Sequence, residues 1–319
     1  MKQKTAHQID PAFQKMPSVT IANKRWLLRS LSLLVSASRV FFRWPKSIRV
    51  TTHAVQGADN NTIKIIEVAP KTLAGQAPAI VYYHGGGFFM SYGALHLSQV
   101  AAYAEQLQVR VFFVQYRLST RQPFPGPFND CVSALDWVYD NADSLTVDRD
   151  RVAVMGDSAG GCLAASVAQH VLDTNNQRLQ PNNIRAQFLI YPALDCDSKT
   201  QSAQWFNDTP VWNATNNKIM WQVYLGDRGG DEALAPPAYA SPAHRENLTG
   251  LPPAYIESAE FDPLRDEAHA YADALTGAGV EVSRVMVKGA VHGYDFVDCE
   301  ITQKAKANRL ACMRALLCD

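Results

Sequence analysis

Neither sign of charge is in excess in this chain, and its cysteines form no pattern that indicates a metal or disulfide site. The 319 residues include 30 Lys and Arg and 30 Asp and Glu, so bulk charge favours neither a nucleic-acid partner nor a membrane surface. The six cysteines form no C-x-x-C pair, which in a chain this long is typical of ordinary buried thiols. A Walker A pattern is also missing, and GGGF lacks the glycine spacing of a dinucleotide-binding turn. We therefore expect no nucleic-acid partner, no metal and no other cofactor.

Long apolar runs are scarce as well. The stretch from Trp26 to Phe42 comes nearest to a membrane span, but its two arginines leave only nine residues between them, and a spanning helix needs about 20. As a signal peptide it would follow an overlong leader of mixed composition. Its apolar residues recur at helical spacing on one predicted face: Leu27, Leu31, Leu34 and Val35. We expect an amphipathic helix that covers another part of the fold, no membrane span, and a cytoplasmic protein.

From about residue 48 the chain alternates β-forming runs with helical periods. The predicted strands are Ile48–Val55, Thr62–Val68, Ala79–Tyr83, Arg110–Gln115, Arg151–Met155, Ala186–Tyr191, Ala254–Ala259 and Val282–Val287. The predicted helices are Leu95–Gln108, Phe128–Asn141, Ala159–Asp173, Pro263–Ala278 and one at the C-terminus. The first two strands resemble an antiparallel pair, whereas the later ones are almost wholly apolar, as in a parallel sheet covered on both faces. This alternation predicts an α/β fold with a mainly parallel eight-stranded sheet flanked by helices.

Two segments do not join the alternation. Residues 1–45 precede the first strand, and residues 197–245 carry a cluster of aromatic side chains and a proline-rich end. We expect a core formed by residues 46–196 and 246–319, with residues 1–45 and 197–245 as a helical cover outside the sheet. Most of the aromatic residues are expected only to pack that cover.

A candidate nucleophile lies in the pattern G-x-S-x-G, here Gly156-Asp157-Ser158-Ala159-Gly160. A chain of this length has roughly a one-in-ten chance of containing the pattern by accident. Its position is more specific, because it lies between a predicted strand and a predicted helix, where the turn exposes the serine hydroxyl above the edge of the sheet. The N–H groups of the first helical turn have no partners within the helix. Ser158 is therefore the predicted nucleophile, and the N–H of Ala159 is a predicted donor to negative charge.

A serine hydroxyl needs a base to accept its proton, and the base needs a carboxylate to orient it. Of the eight histidines, His292 follows the predicted strand Val282–Val287 and so lies at the same edge of the sheet as Ser158. Asp262 follows the preceding strand at the start of a helix. It could act as that helix's N-cap, as the orienting carboxylate, or as both.

Three consecutive glycines follow the run Val81–His84 in the stretch VYYHGGGFF. Each glycine increases the backbone entropy lost on folding and offers no side chain for packing. One or two glycines usually suffice for a turn. Three in a row indicate that main-chain N–H groups approach a ligand closely, within about 3 Å of a developing oxyanion.

Four ordered motifs are present together: HGGGFF, YRLSTRQPFPGPFNDC, GDSAGG, and AEFDPLRDEAHAYADAL followed by HGY. Across roughly residues 75–295 the chain resembles the hormone-sensitive-lipase family of bacterial esterases. The resemblance implies an α/β-hydrolase fold with a helical cap over the active site, and a triad of Ser158, Asp262 and His292. The chain departs from the usual family pattern in YRLSTR, in Cys162 after GDSAGG, and in Tyr294, which stands where HGF has its Phe, and none of these departures falls on a triad residue.

The same resemblance implies an oxyanion hole and a substrate class. Gly86, Gly87 and Ala159 would donate to the oxyanion, while His84 and Gly85 would position the glycine loop. The implied reaction is hydrolysis of short-chain acyl esters through an acyl-enzyme, with a small-molecule ester as partner and no cofactor. Members of the family are often dimers, so a homodimer stays open.

Three other functions remain as alternatives. A non-catalytic binding protein on the same fold would lack the base, and the presence of His292 argues against it. An amidase or peptidase would use the same triad, but the peptidase relatives carry a large extra domain for which this chain has no room. A lipase for long-chain fats is disfavoured because no lid helix distinct from the cover is evident.

Overall fold

A computed structural model describes residues 9–175, 183–226 and 235–318, and it joins the predicted β-runs into one eight-stranded sheet. The strands are Ile48–Gln56 (β1), Thr62–Pro70 (β2), Ala77–Tyr83 (β3), Arg110–Gln115 (β4), Val147–Asp157 (β5), Ile184–Ile190 (β6), Ala254–Phe261 (β7) and Val282–Val291 (β8). Their order across the sheet is β1-β2-β4-β3-β5-β6-β7-β8. The predicted fold class is confirmed.

The strand pairing gathers several strand ends at one edge of the sheet. β1 pairs antiparallel with β2 and β2 with β4, and all the later pairs are parallel. The strand order reverses between β3 and β5, where Tyr83 is in register with Gly156. In open α/β sheets, ligands bind outside the carboxyl ends of the strands at such a switch point. The loops after β3, β5, β7 and β8 all begin at this edge.

Helices cover both faces of the sheet. They are Pro11–Gln14 (α1), Arg25–Ala37 (α2), Ala94–Leu107 (α3), Gly126–Asp140 (α4), Ala159–Thr174 (α5), Gln201–Trp205 (α6), Ala214–Leu225 (α7), Arg265–Gly277 (α8) and Glu300–Leu317 (α9). Alternate side chains of β3 point to opposite faces, so Val81 joins the core under α4, α5 and α8, while Ile80 joins the core under α3 and α9. Two buried faces explain why the strands are apolar at nearly every position.

Two sequence predictions need correction. Helix α8 begins at Arg265, two residues later than predicted, because the main chain turns first and the Arg265 N–H donates to the carbonyl of Asp262. Of the six cysteines, only Cys131 and Cys162 are buried, the other four are partly exposed, and none of the six is joined in a disulfide. No helix in the described part of the chain is long and apolar enough to cross a membrane.

The amphipathic helix predicted near the N-terminus is present as α2, but its buried face differs from the prediction. Leu28 and Ser32 are buried, whereas Leu34 is 71% exposed. The chain that precedes α2 binds the segment that follows β6: the Ile21 N–H donates to the side-chain oxygen of Asn216, whose amide nitrogen donates to the carbonyl of Val19. The two segments outside the sheet therefore pack on each other, and the domain boundaries stay a prediction.

Candidate active site

Ser158 occupies a strained turn between β5 and α5. Its backbone has φ 55° and ψ −120°, a conformation that typically costs about 1–3 kcal/mol for a residue other than glycine. A Cβ atom on Gly160 would overlap the carbonyl oxygen of Tyr83, and one on Gly156 would overlap the backbone of Gly160. The small residues of G-x-S-x-G thus let the strand and the helix close tightly around the serine.

The structure brings together the three residues predicted as a triad. The Nε2 atom of His292 lies 2.9 Å from the Ser158 hydroxyl oxygen, and Nδ1 lies 2.7 Å from Oδ2 of Asp262. All three side chains are almost completely buried. Each comes from a different strand end, since Ser158 follows β5, Asp262 follows β7 and His292 follows β8.

Asp262 contacts both the turn into α8 and His292, although the N-cap of α8 is Leu264 and not Asp262. Its Oδ1 accepts a hydrogen bond from the N–H of Leu264 at 2.9 Å, which caps the turn into α8. Its Oδ2 faces His292, and a carboxylate can only accept, so Nδ1 carries the proton. Nε2 is then left as the acceptor for the Ser158 hydroxyl. In this tautomer the histidine can take the serine proton and be stabilised as an imidazolium by the carboxylate.

The glycine loop after β3 lies in a conformation that favours glycine. Gly86 and Gly87 have φ values of 111° and 59°, and a Cβ atom on Gly87 would lie 2.9 Å from the ring of Trp212. Among the described residues, the N–H groups of Gly86 and Gly87 have no hydrogen-bond acceptor. Ala159 is the first residue of α5, so its N–H also lacks an acceptor within the helix. Three main-chain donors are therefore available for a negative oxygen.

His84 binds the loop that it precedes. Its Nδ1 donates to the carbonyl of Gly85 at 2.7 Å, and its ring stacks on Tyr116, whose hydroxyl donates to the His84 carbonyl at 2.6 Å. Burial and the neighbouring His96 lower the pKa of His84 to about 3. His84 is thus neutral over the usual pH range. Gly85 is required for space, because a Cβ atom there would overlap Asp157.

Sequence reasoning missed the role of Asp157, the residue before the serine. Its Oδ1 accepts hydrogen bonds from the Gly85 N–H at 3.0 Å and the Tyr82 hydroxyl at 2.6 Å, and its Oδ2 lies 3.7 Å from Nε2 of His96. Burial alone would raise the pKa of Asp157, but His96 and the Tyr82 hydroxyl outweigh it and hold this pKa below its usual value. The only hint in the sequence was that the x before the serine of G-x-S-x-G is an acidic residue. Asp157 joins the turn that carries Ser158 to the glycine loop.

A second set of missed residues lies beneath His292. The Arg309 guanidinium, on α9, is fully buried and binds Glu257 of β7 at 2.6 Å and Asp295 at 3.0 Å. The Tyr191 hydroxyl donates to Asp295 at 2.6 Å, and the Tyr191 ring packs edge-on against His292 with 4.8 Å between centroids. No local pattern marks Arg309 in the sequence, because its partners are 14 and 52 residues away.

Glu267 supports the loop after β6 from the opposite side. Its Oε1 accepts a hydrogen bond from the N–H of Leu194 at 2.7 Å, and the adjacent Ala193 N–H donates to the carbonyl of Ser158 at 3.1 Å. Burial raises the pKa of Glu267 well above its usual value. The backbone of Ser158 is thus hydrogen-bonded to the loop after β6, and the buried Glu267 side chain holds that loop in place.

Trp212 is the aromatic residue of the cover that lies next to the triad. Its ring centroid is 5.9 Å from that of His292 and 6.4 Å from that of Phe89. By contrast, Tyr224 stacks on Phe88, and Trp205 is 55% exposed. The aromatic residues of this segment therefore pack largely against the core, and Trp212 closes the space above the glycine loop.

Four side chains that could hold a cation lie together in the loop after β6 and near the end of the cover. Ligand atoms of Asp195, Cys196, Asp197 and His244 all lie within 4.8 Å of one another. The carboxylates already have partners, because Asp195 binds His244 at 3.0 Å and Asp197 binds Lys199 at 3.0 Å. Burial raises the pKa of Cys196 to about 11. These contacts account for the cluster without an ion.

Comparison with known proteins places this geometry in a family context. A sequence profile of the α/β-hydrolase fold matches residues 80–296. The chain is 37% identical to carboxylesterase NlhH of Mycobacterium tuberculosis over 227 residues, 70% of this chain and 69% of that protein. It is 32% identical to the ethyl acetate hydrolase of Pseudomonas putida over 225 residues, 70% of this chain and 67% of that protein. The structure of a bacterial heroin esterase superposes with a TM-score of 0.87 at 33% identity, covering 98% of this chain and 99% of that one.

Proposed function

The chain belongs to the α/β-hydrolase fold family and is a carboxylic ester hydrolase, and from this premise we propose that Ser158 is its nucleophile. His292 acts as the general base and Asp262 as the carboxylate that orients it. The observation that carries this proposal is the pair of hydrogen bonds on the two nitrogens of His292, at 2.9 Å to Ser158 and 2.7 Å to Asp262. Without them the serine hydroxyl would be a weak nucleophile.

The reaction runs through an acyl-enzyme. Ser158 attacks the ester carbonyl as His292 takes its proton, and the tetrahedral oxyanion binds the N–H groups of Gly86, Gly87 and Ala159. His292 then gives the proton to the leaving alcohol. Water, activated by the same histidine, hydrolyses the acyl-enzyme. Each oxyanion donor contributes about 10²–10³ in rate.

His84 and Gly85 position the glycine loop and take no part in proton transfer. A histidine with a pKa of about 3 is a weak base at neutral pH. Its Nδ1 instead donates a hydrogen bond to the Gly85 carbonyl. Because Gly85 has no Cβ atom, Asp157 can approach closely enough to accept a hydrogen bond from the Gly85 N–H.

The substrates are esters of short acyl chains. Trp212 supports this proposal, because it leaves little room between the glycine loop and His292 for a long chain. The segments 1–45 and 197–245 together form the cap, as far as the structure describes them, and the contacts between Ile21 and Asn216 hold the two parts together.

The first test is hydrolysis of p-nitrophenyl esters from acetate to palmitate. Ser158→Ala should lower turnover by up to ~10⁶, while the wild type should prefer the short esters. Background rates in both proteins would contradict the nucleophile assignment for esters, and a p-nitroanilide series would then test the amidase alternative. Binding of a soluble ester analogue without turnover by either protein would favour the non-catalytic function.

The acyl pocket needs a separate variant. Trp212→Ala should raise the ratio of octanoate to acetate hydrolysis by at least about tenfold, because room for even one more methylene in an apolar pocket is worth about 10–200-fold. Trp205→Ala, the same change at an exposed position, should leave the ratio unaltered. An unchanged ratio in Trp212→Ala would show that Trp212 does not limit chain length.

A further inference from the structure

The outer face of α2 and the turn after it form an exposed apolar stripe. Five large side chains are between 65% and 86% exposed, which is unusual for residues of this kind: Trp26, Leu33, Leu34, Val40 and Phe41. Helical geometry places Trp26 and Leu33 on the side opposite the buried Leu28. Single exposed apolar residues are normal, but a contiguous group marks an interaction surface.

The part of the chain that contains this stripe carries charge of one sign. Residues 11–58 contain eight Lys and Arg and no Asp or Glu, although the whole chain is balanced. Within the described part of the chain, none of these eight cations forms an ion pair with a carboxylate. Lys24 and Arg25 directly precede Trp26, and Arg43 follows Phe41, so exposed cations lie at both ends of the stripe. Bulk charge conceals this asymmetry.

We propose that this stripe binds the surface of an anionic phospholipid bilayer. An amphipathic helix with basic residues and exposed Trp, Leu and Phe side chains lies in the membrane interface, where the apolar groups insert and the cations meet lipid phosphates. A second copy of the chain is the weaker occupant, because symmetric pairing of the stripes would bring together the like charges that lie at their ends, Lys24, Arg25 and Arg43 of each copy. Helix α2 has 13 residues and lies on the bilayer without crossing it.

The inner face of α2 connects the stripe to the glycine loop. The Ser32 hydroxyl accepts a hydrogen bond from the Ser91 N–H at 2.9 Å, and the Ser38 hydroxyl accepts one from the Ala94 N–H at 3.0 Å. Ser91 follows the HGGGFF motif by two residues. A bilayer bound to α2 would therefore lie beside the cover of Ser158 and present ester substrates dissolved in its interface.

The test is sedimentation of the full chain with vesicles of phosphatidylcholine alone or with about one third phosphatidylglycerol. We expect binding to the anionic vesicles at about 0.05 M NaCl and loss of binding at about 0.5 M, because salt screens exposed charges. Removing three cations with Lys24→Gln/Arg25→Gln/Arg43→Gln should weaken binding on the order of 100-fold. The apolar variant Leu33→Ser/Leu34→Ser/Phe41→Ser should weaken it at least as much.

Matched variants on other surfaces control for net charge and for loss of apolar area. Lys64→Gln/Lys71→Gln/Lys288→Gln changes the net charge equally, and Trp205→Ser/Met286→Ser removes exposed apolar side chains elsewhere. Both should bind as the wild type does. All variants should keep their hydrolysis of soluble p-nitrophenyl acetate, and vesicle binding is measured without hydrolysis, so its failure is distinguishable from failure of the catalytic assignments.

Each other outcome overturns the proposal. No sedimentation with either vesicle, or equal binding to neutral and anionic vesicles, would contradict a charged lipid surface as the partner. A concentration-dependent dimer that the apolar variant dissociates, with no vesicle binding, would assign the stripe to self-association. Equal loss of binding in the matched control variants would show that the effect is not local to α2.

Discussion

Replacing Asp157 by alanine should damage both stability and turnover, because one carboxylate oxygen joins two loops of the candidate site. That oxygen accepts from the Gly85 N–H and from the Tyr82 hydroxyl, and both donors are buried. In Asp157→Ala the Gly85 N–H has no other acceptor among the described residues, and the Tyr82 hydroxyl keeps only a long contact of 3.5 Å to Oε1 of Gln99. A buried donor left without a partner costs about 1–3 kcal/mol, so the free energy of unfolding should fall by about that much for the Gly85 N–H and by a smaller further amount for the Tyr82 hydroxyl.

Asp157→Ala should also lower kcat. Gly85 precedes the two glycines proposed as oxyanion donors, and Asp157 holds its N–H. A loop displaced by a fraction of an ångström weakens at least one donor, which is worth about 10²–10³ in rate. Because the donors act mainly on the transition state, kcat should fall with little change in KM.

Asp157→Asn is the matched variant, because its amide oxygen can accept from both Gly85 and Tyr82. Hydrogen bonds to a neutral acceptor are worth about 1 kcal/mol less than those to a charged one. We expect this variant to stay folded and to keep kcat within about tenfold of the wild type. Urea unfolding gives the stability change, and initial rates with p-nitrophenyl acetate give kcat and KM. If Asp157→Asn were as damaging as Asp157→Ala, the loss could not come from the missing acceptor.

The pH dependence provides an independent test of the same carboxylate. The folded-state pKa of Asp157 lies below its ordinary value of 3.8, so the charged form contributes stability that is complete above pH 3.8 and is lost as the pH falls toward the folded-state pKa. Asp157→Asn has no such group. The stability difference between wild type and Asp157→Asn should therefore shrink below about pH 4. A folded Asp157→Ala with wild-type kcat would refute the link between this carboxylate and the loop.

Two further predictions concern buried ionisable side chains. Arg309→Ala should lower the free energy of unfolding, measured with urea, by about 3–5 kcal/mol, because it leaves two carboxylates buried without their cation. Lys304→Ala, at an exposed position, should cost less than about 1 kcal/mol. Similar losses in both variants would contradict the argument from burial. The pKa of His84 is about 3 in the folded protein, against an ordinary value of 6.5, so the unfolded chain binds a proton more tightly. The free energy of unfolding should therefore fall by up to ~1.4 kcal/mol per pH unit as the pH drops from about 6.5 to about 3. His84→Asn should flatten that slope, and parallel pH profiles of the two proteins would be the contrary result.

The strands, and the meeting of Ser158, Asp262 and His292 at one edge of the sheet, were predictable because each strand and the polar residue after it are recognised from a short stretch of sequence. Parallel strands covered on both faces must be apolar throughout, so runs such as Ala79–Tyr83 differ clearly from the helical periods around them. Polar residues directly after such runs must meet at one edge of the sheet. That reasoning applied to Ser158, Asp262 and His292, and the structure brings these three side chains within hydrogen-bond distance.

The orientation of α2 was not predictable from hydrophobic periodicity. A periodic apolar pattern predicts that the apolar face of a helix points inward. The inward contacts of α2 and its C-cap, however, include the hydroxyls of Ser32 and Ser38, which accept hydrogen bonds from loop N–H groups. With the helix oriented so that these partly buried N–H groups find acceptors, Leu34 faces solvent. The hydrogen bonds depend on where a distant loop lies, and a helical pattern of 13 residues contains no information on that.

The buried network around Arg309 is likewise invisible in the sequence, and its place in the fold suggests why the chain retains it. Desolvation offsets much of what a buried ion pair contributes, so such pairs are poor stabilisers compared with apolar packing. Here, however, the guanidinium connects Glu257, on the strand that leads to Asp262, with Asp295, three residues after His292. The carboxylate and the base of the proposed triad thus depend on one buried cation. Tyr191 adds a further restraint by packing against the His292 ring while bonding to Asp295. We infer that the network fixes the distance between the two strand ends, because a catalytic histidine must stay within hydrogen-bond reach of both of its partners.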